Sequence, residues 1–400
     1  MTRLTADILT PSPDPRDFSV VLGGPLFQLF RKAHLSGDGL ELLRGRLLVL
    51  VTLSWSPLLV LCAMQGTLLG NVAVPFFYDI EAQARCLLLI PLLVGAEIVV
   101  HQRLRYVASQ ILQRRLIPDL AMDRFEEAMA STIRLRNSVV AEVAILVFVY
   151  AVGVRLSFMQ HAALTQTTWY GPSGAGGGLS GAGIWYIYFT VPLMQFLLLR
   201  WYYRLFIWGR FLWKVSRIQL RLVPTHPDRL GGLGFLGDAT AAFAPLAFAH
   251  GAFVSAWIAT RIFLHGAALL DFKAVIIAVA VFILLIFLAP FFVFSVQLAA
   301  TRRQGERDYG PLAAHYVQQF DEKWVHPDKK TAEPLLGTAD IQSLADMNNA
   351  YGVVKGMRTA PITKQALITL LGSTLAPIAP LALTMMPLGE AVKLLFGILT

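Results

Sequence analysis

Four ionisable side chains fall inside stretches that are otherwise apolar, and chemistry would begin with them. Glu97, Glu142 and Arg200 each interrupt an apolar run close to the end that adjoins a basic connection. A charge at such depth is expensive in lipid, so it must be paired or face a wet cavity. Their common layer predicts a Glu–Arg–Glu cluster. Facing the bundle interior, it would form a polar vestibule or a proton or ion relay. Snorkelling and helix-packing pairs near the interface are the plainer role for the same residues. His250 lies near the middle of another run. An imidazole there can carry a proton near neutral pH, or simply tie its helix to a neighbour.

A second set sits in a polar connection, THPDRLGGLGFLGD at residues 225–238. It opens the following helix, where free N–H groups and the positive dipole end gather. Gly231, Gly232 and Gly234 allow tight turns there. With Arg229 they would bind a lipid phosphate or another anion. His226, Asp228 and Asp238 would instead hold a cation. The pattern matches neither a P-loop nor a dinucleotide fingerprint. A turn that pins the loop to the membrane surface explains it equally well. HPD recurs at residues 326–328, adding His326 and Asp328. If His226, Asp228, His326 and Asp328 met in one interfacial pocket, they would suit a lipid-acting enzyme. HPD also marks J-domains, but the stretch from Asp308 to His326 is too short for the helices that precede it there.

No HExxH, P-loop, GxSxG or haem-attachment motif occurs. Cys62 and Cys86 lie in apolar runs, and no CxxC pair exists for a disulfide framework or a zinc site. No catalytic residue, metal or cofactor is expected, and no cleavable signal peptide is visible.

The elements that hold these residues follow from composition. The 400 residues are 56% hydrophobic and only 15% charged, with mean hydropathy +0.59. A soluble domain carries about 25% charged residues. Lipid is therefore the solvent for most of this chain. Six segments are long enough to span: 47–70, 82–101, 137–157, 183–207, 241–264 and 274–298. A seventh, 365–387, is interrupted by Pro377, Pro380 and Pro387, and either crosses or re-enters.

The net charge of +9 belongs to topology rather than to nucleic acid. Lys and Arg fill alternate connections (102–136, 208–240 and 299–364), while 71–81 and 158–182 have none. The positive-inside rule then puts the N-terminus in the cytoplasm and the protein in a bacterial inner membrane, its partners being the bilayer and anionic lipid. Trp201, Tyr202, Tyr203, Trp208 and Trp213 read as an interfacial belt. The Gly-rich loop 158–182 reads as mobile and free of chemistry.

The expected architecture is an all-α polytopic transmembrane bundle with a small helical cytoplasmic layer. Residues 1–46 form a cytoplasmic region with a surface helix at 18–34. The six-span bundle covers 47–298. A cytoplasmic helical segment covers 299–364, within which 340–357 is an amphipathic helix capped by Thr338. The hydrophobic C-terminal segment is 365–400.

Four stretches carry a resemblance: RGRLLVLVTLSWSPLLVL (44–61), LLLIPLLVGAE (88–98), HPDRLGGLGFL (226–236) and EPLLGTADIQSLADMNNAYGVVKGMR (333–358). The chain resembles a family of uncharacterised bacterial polytopic inner-membrane proteins with an HPDxxGGLGF motif. The resemblance implies a multi-span fold and an inner-membrane location, and brings no activity. Two functions compete, with transport favoured over a binding, sensing or scaffold role. Transport or conduction of a small solute or ion needs Glu97, Glu142, Arg200 and His250 to converge on one cavity. A binding, sensing or scaffold role needs a dry core and a cytoplasmic surface for a partner or lipid.

Overall fold

The computed structural model describes residues 19–21, 23–25, 43–162, 167–171, 178–326 and 337–385. Among these there is no β-strand, only two isolated bridges at Thr168. Six helices are long and apolar enough to cross a membrane: α1 (Leu43–Met64), α2 (Ile80–Gln113), α4 (Val139–Ser157), α5 (Gly181–Ser216), α6 (Gly234–His265) and α7 (Leu269–Val325). The short α3 (Met122–Arg136) lies between α2 and α4. Beyond α7 come α8 (Asp340–Lys355) and α9 (Lys364–Leu375). The chain is a polytopic transmembrane helical bundle, as the apolar runs require.

Local chemistry starts and bends these helices. Asp79, Ser138, Ser180 and Thr363 each accept a hydrogen bond from the backbone N–H three residues on, capping α2, α4, α5 and α9. Pro57 lies inside α1. It has no N–H for the carbonyl of Leu53, four residues earlier. The indole of Trp185 on α5 donates to that carbonyl instead, at 3.1 Å. Lipid offers no donor, so another helix must. Single π-turns interrupt α2 at Arg85–Leu89, α4 at Val149–Gly153 and α5 at Tyr186–Thr190.

The centre of the bundle is α5. Leu197, Trp201, Arg204, Leu205, Trp208, Phe211, Leu212 and Val215 recur at helical spacing and are all buried. This corrects the interfacial-belt reading for Trp201 and Trp208. Each is under 3% exposed, and Trp201 Nε1 donates to the Leu93 carbonyl of α2 at 2.8 Å. Trp213, by contrast, is 48% exposed.

Two features lie outside the expected boundaries. The 57 residues of α7 would extend about 85 Å if straight, far beyond a bilayer core of about 30 Å. The outer part of α7 forms a long arm against which α8 packs. The arm leaves the bundle where Gly305 lies against Pro224 and Val354. The helix at 340 begins as expected, but its cap position is Ala339, with no side-chain hydrogen bond, rather than Thr338. The C-terminal segment is α9 followed by a short turn, Ala379–Met385, bent 52° away. It packs on α6 through Gly251, where any Cβ would collide with the Thr374 carbonyl. Residues 19–21 and 23–24 are not helical. The rest of the expected surface helix, like residues 386–400, lies outside the described residues.

Candidate functional site

Four spans each deliver charge to one buried layer on the basic side of the bundle. Glu97 of α2 accepts from Arg46 Nη2 of α1 and Arg204 Nη1 of α5, both at 2.8 Å. Arg200 of α5 lies 3.6 Å from Glu97, and its Nε reaches Glu142 of α4 at 3.0 Å. All five side chains are buried. Delocalised guanidinium groups suit this task, because each offers several donors in fixed directions. The predicted Glu97–Arg200–Glu142 cluster is therefore present.

Sequence reasoning missed Arg46 and Arg204. Arg46 is the last residue of the cytoplasmic region expected at 1–46 and immediately precedes an apolar run. Arg204 follows Arg200 by one helical turn, and that spacing was the available signal.

The cluster also holds the chain that precedes α1. Arg204 Nη2 donates to the Val21 carbonyl at 3.2 Å and Arg200 Nη2 to the Gly23 carbonyl at 3.4 Å. From the α3 end, Arg136 Nη1 donates to the Ser19 carbonyl at 2.8 Å. Asn137 Oδ1 accepts from the Gly24 N–H at 3.1 Å, and Ser19 Oγ lies 2.9 Å from His101 Nδ1. Residues 19–21 and 23–24 thus belong to a strap drawn across the charged layer. The void lined by Val20, Val21, Val100, Trp201, Arg204 and Trp208 has no room for a water molecule.

His250 is not part of this layer. Its Nδ1 lies 2.6 Å from the Leu246 carbonyl and its Nε2 lies 2.7 Å from the Tyr202 hydroxyl. A carbonyl only accepts, so Nδ1 carries the proton and Nε2 accepts from tyrosine. Both nitrogens are used in the neutral form. The ring otherwise faces Phe282 and Phe287.

The glycine-rich loop binds an anion, but one of its own. Arg229, Gly231 and Gly232 adopt left-handed backbone, with φ of 54°, 62° and 102°. This turns three N–H groups onto the Asp228 carboxylate. Oδ1 accepts from Leu230 at 2.8 Å and Gly232 at 3.2 Å, and Oδ2 from Gly234 at 2.8 Å. Burial pushes the Asp228 pKa up, but the three N–H bonds and nearby His226 outweigh it and hold the pKa below its usual value. The cradle read as a phosphate site is thus filled from within. The loop acts as a buckle: the Gly232 carbonyl accepts from Arg114 at the end of α2, and the Arg229 carbonyl from the Arg358 N–H before α9.

The cation reading also fails to assemble. Asp238 is exposed, and no group of three His, Cys, Asp or Glu among the described residues is placed to hold a metal. His326 pairs with Asp321 at 3.0 Å. It lies roughly 30 Å along the arm from the point where Gly305 meets Pro224. His226 and His326 are therefore not brought together, and Asp328 lies outside the described residues.

Two cavities open sideways between helices. One, of about 430 Å³, lies between α4 and α5, lined by Val143, Leu146, Tyr150 and Phe196, with Glu142 among them. The other, of about 570 Å³, lies between α5 and α7. Comparison with protein-family models, curated protein sequences and solved structures gave no match.

Proposed function

We propose that this is a membrane-embedded binding or scaffold protein, rigid within the bilayer, that presents a helical arm on its cytoplasmic side. One observation carries this reading. The intramembrane charges pair with one another and with the strap, the void beside Arg204 has no room for water, and only Glu142 borders a cavity, one that opens sideways between α4 and α5. A conduit for a small solute or ion, the function the sequence favoured, needs those charges on a hydrated path that includes His250. The arm supports the same conclusion. It exposes Leu312, Val317 and Val325, and α8 exposes Ile341. Apolar side chains on a solvated helix pair suit contact with another molecule.

The test is thiol accessibility after Cys62 and Cys86 are replaced by Ala. Val100→Cys, beside Arg204, should resist a membrane-impermeant thiol reagent from either side of a vesicle. Val317→Cys should react from the cytoplasmic side only. Rapid modification of Val100→Cys would reinstate a hydrated conduit. Reaction of Val317→Cys from the opposite side would overturn the orientation.

A further inference from the structure

One face of α5 changes character where the helix leaves the apolar layer. Tyr202, Phe206, Arg210, Trp213 and Arg217 follow one another at helical spacing, so they form one stripe. Phe206 is 59% and Trp213 48% exposed. On a spanning helix those side chains face lipid. The cavity of about 570 Å³ runs along this stripe, and its other wall is Ile286, Ala289 and Pro290 of α7. Pro290 opens it, because α7 departs from α-helix into a 3₁₀ stretch at Ala289–Phe294. Gly209 faces Pro290 and adds no side chain to the gap.

The charge at the mouth of this groove is unbalanced. Arg210 donates to Ser131 Oγ at 2.7 Å, and no carboxylate among the described residues pairs with it. The Arg217 guanidinium lies 5.2 Å from the Trp213 ring centroid. Two cations around an exposed indole, above an apolar slot, match the outline of one kind of molecule. The slot takes a hydrocarbon chain, the indole lies at the glycerol level, and the guanidinium groups take a phosphate with no cation to offset it.

We propose that the α5–α7 groove binds one anionic glycerophospholipid from the leaflet on the basic side. The glycine-rich loop does not compete for this ligand, because Asp228 already occupies its N–H groups. The site does not depend on the scaffold role, since a conduit could hold the same lipid.

Native mass spectrometry of the full chain tests the proposal. The protein is delipidated in detergent and given equal amounts of dioleoylphosphatidylglycerol and dioleoylphosphatidylcholine. One phosphatidylglycerol should be retained about thirtyfold over phosphatidylcholine, the preference expected from two arginines near a lipid surface. Arg210→Gln with Arg217→Gln should bring the two lipids level. Gly209→Leu should abolish retention of both by filling the slot. If it does not fold, Ala289→Leu fills the slot from the opposite wall. Equal retention of the two lipids by the wild type would overturn the proposal. So would an undiminished preference in the slot-filled variant, which would mean surface charge alone. A lipid-free dimer would also overturn it, because a second copy would then be the occupant.

Discussion

The two sides of the bundle are held by different forces. On the basic side, three arginines and two glutamates from four spans close on one another. On the opposite side, aromatic packing does the work. Trp169, from the glycine-rich loop, is fully buried against Phe76, Tyr170 and Tyr186, with ring centroids about 5 Å away. Two acids serve that side as well. Asp79 accepts the Trp169 indole N–H at 2.9 Å and caps α2. Glu81 pairs with Arg85 at 2.8 Å and with Arg261 at 3.7 Å, though these groups are more exposed than the charges of the basic side. Charges fix which helices meet and in what register, because an unpaired one is intolerable. Rings fill space and tolerate exchange. The difference implies that the basic side is the less forgiving of change.

Substitutions sharpen this contrast. The largest loss should come from Glu97→Gln, which strands Arg46 and Arg204 without their shared anion. Removing one partner of a buried pair costs about 3–5 kcal/mol. Unfolding in nanodiscs should show it, and a loss under 1 kcal/mol would mean that water already reaches the layer. Trp169→Phe keeps a ring but removes the donor to Asp79. About 2 kcal/mol is expected, from a charge-assisted hydrogen bond. If this change exceeded the first, the contrast between the sides would be reversed.

The smallest effect should be Asp228→Asn, at about 1 kcal/mol, since Asn keeps one acceptor oxygen for the turn. Its pH dependence is distinctive. The folded pKa of Asp228 lies below the ordinary value. Its stabilisation is therefore complete above the unfolded pKa, about 3.9. It is lost as the pH falls through the lower folded value. The stability gap between wild type and Asp228→Asn should be constant from neutral pH to about pH 5, and should shrink only below about pH 4. A gap that closed well above pH 5 would show that Asp228 is not the group responsible.

Much of this was legible in the sequence. Apolar runs located six spans, and the depth of Glu97, Glu142 and Arg200 placed them in one layer. The rest was hidden for physical reasons. Arg46 looks like a topology signal, because a charge at a span end reads the same whether it snorkels or pairs, and Arg204, near the end of the run 183–207, went unread. Asp228 looked like a ligand for something external, because the turn that folds nearby N–H groups onto it depends on the left-handed dihedral angles of Arg229, Gly231 and Gly232. Trp169 sat in a loop whose glycines advertised mobility, yet its ring lies at the centre of a core. Span ends were set by the polar helices that continue them, which composition does not mark.

The strap has a consequence for how the molecule is made. Residues 19–24 leave the ribosome before any span, yet Arg200 and Arg204, which hold them, are translated roughly 180 residues later. At about 5–20 residues per second that delay is on the order of ten seconds or more. During it, Glu97 is already synthesised and waits for the arginines of α5. Synthesis therefore passes through a stage in which the leading segment lacks its two donors from α5 and an intramembrane acid has only one of its three cations. Arrival of α5 ends both conditions together, so completion of the fourth span is the event that commits the chain to its final form.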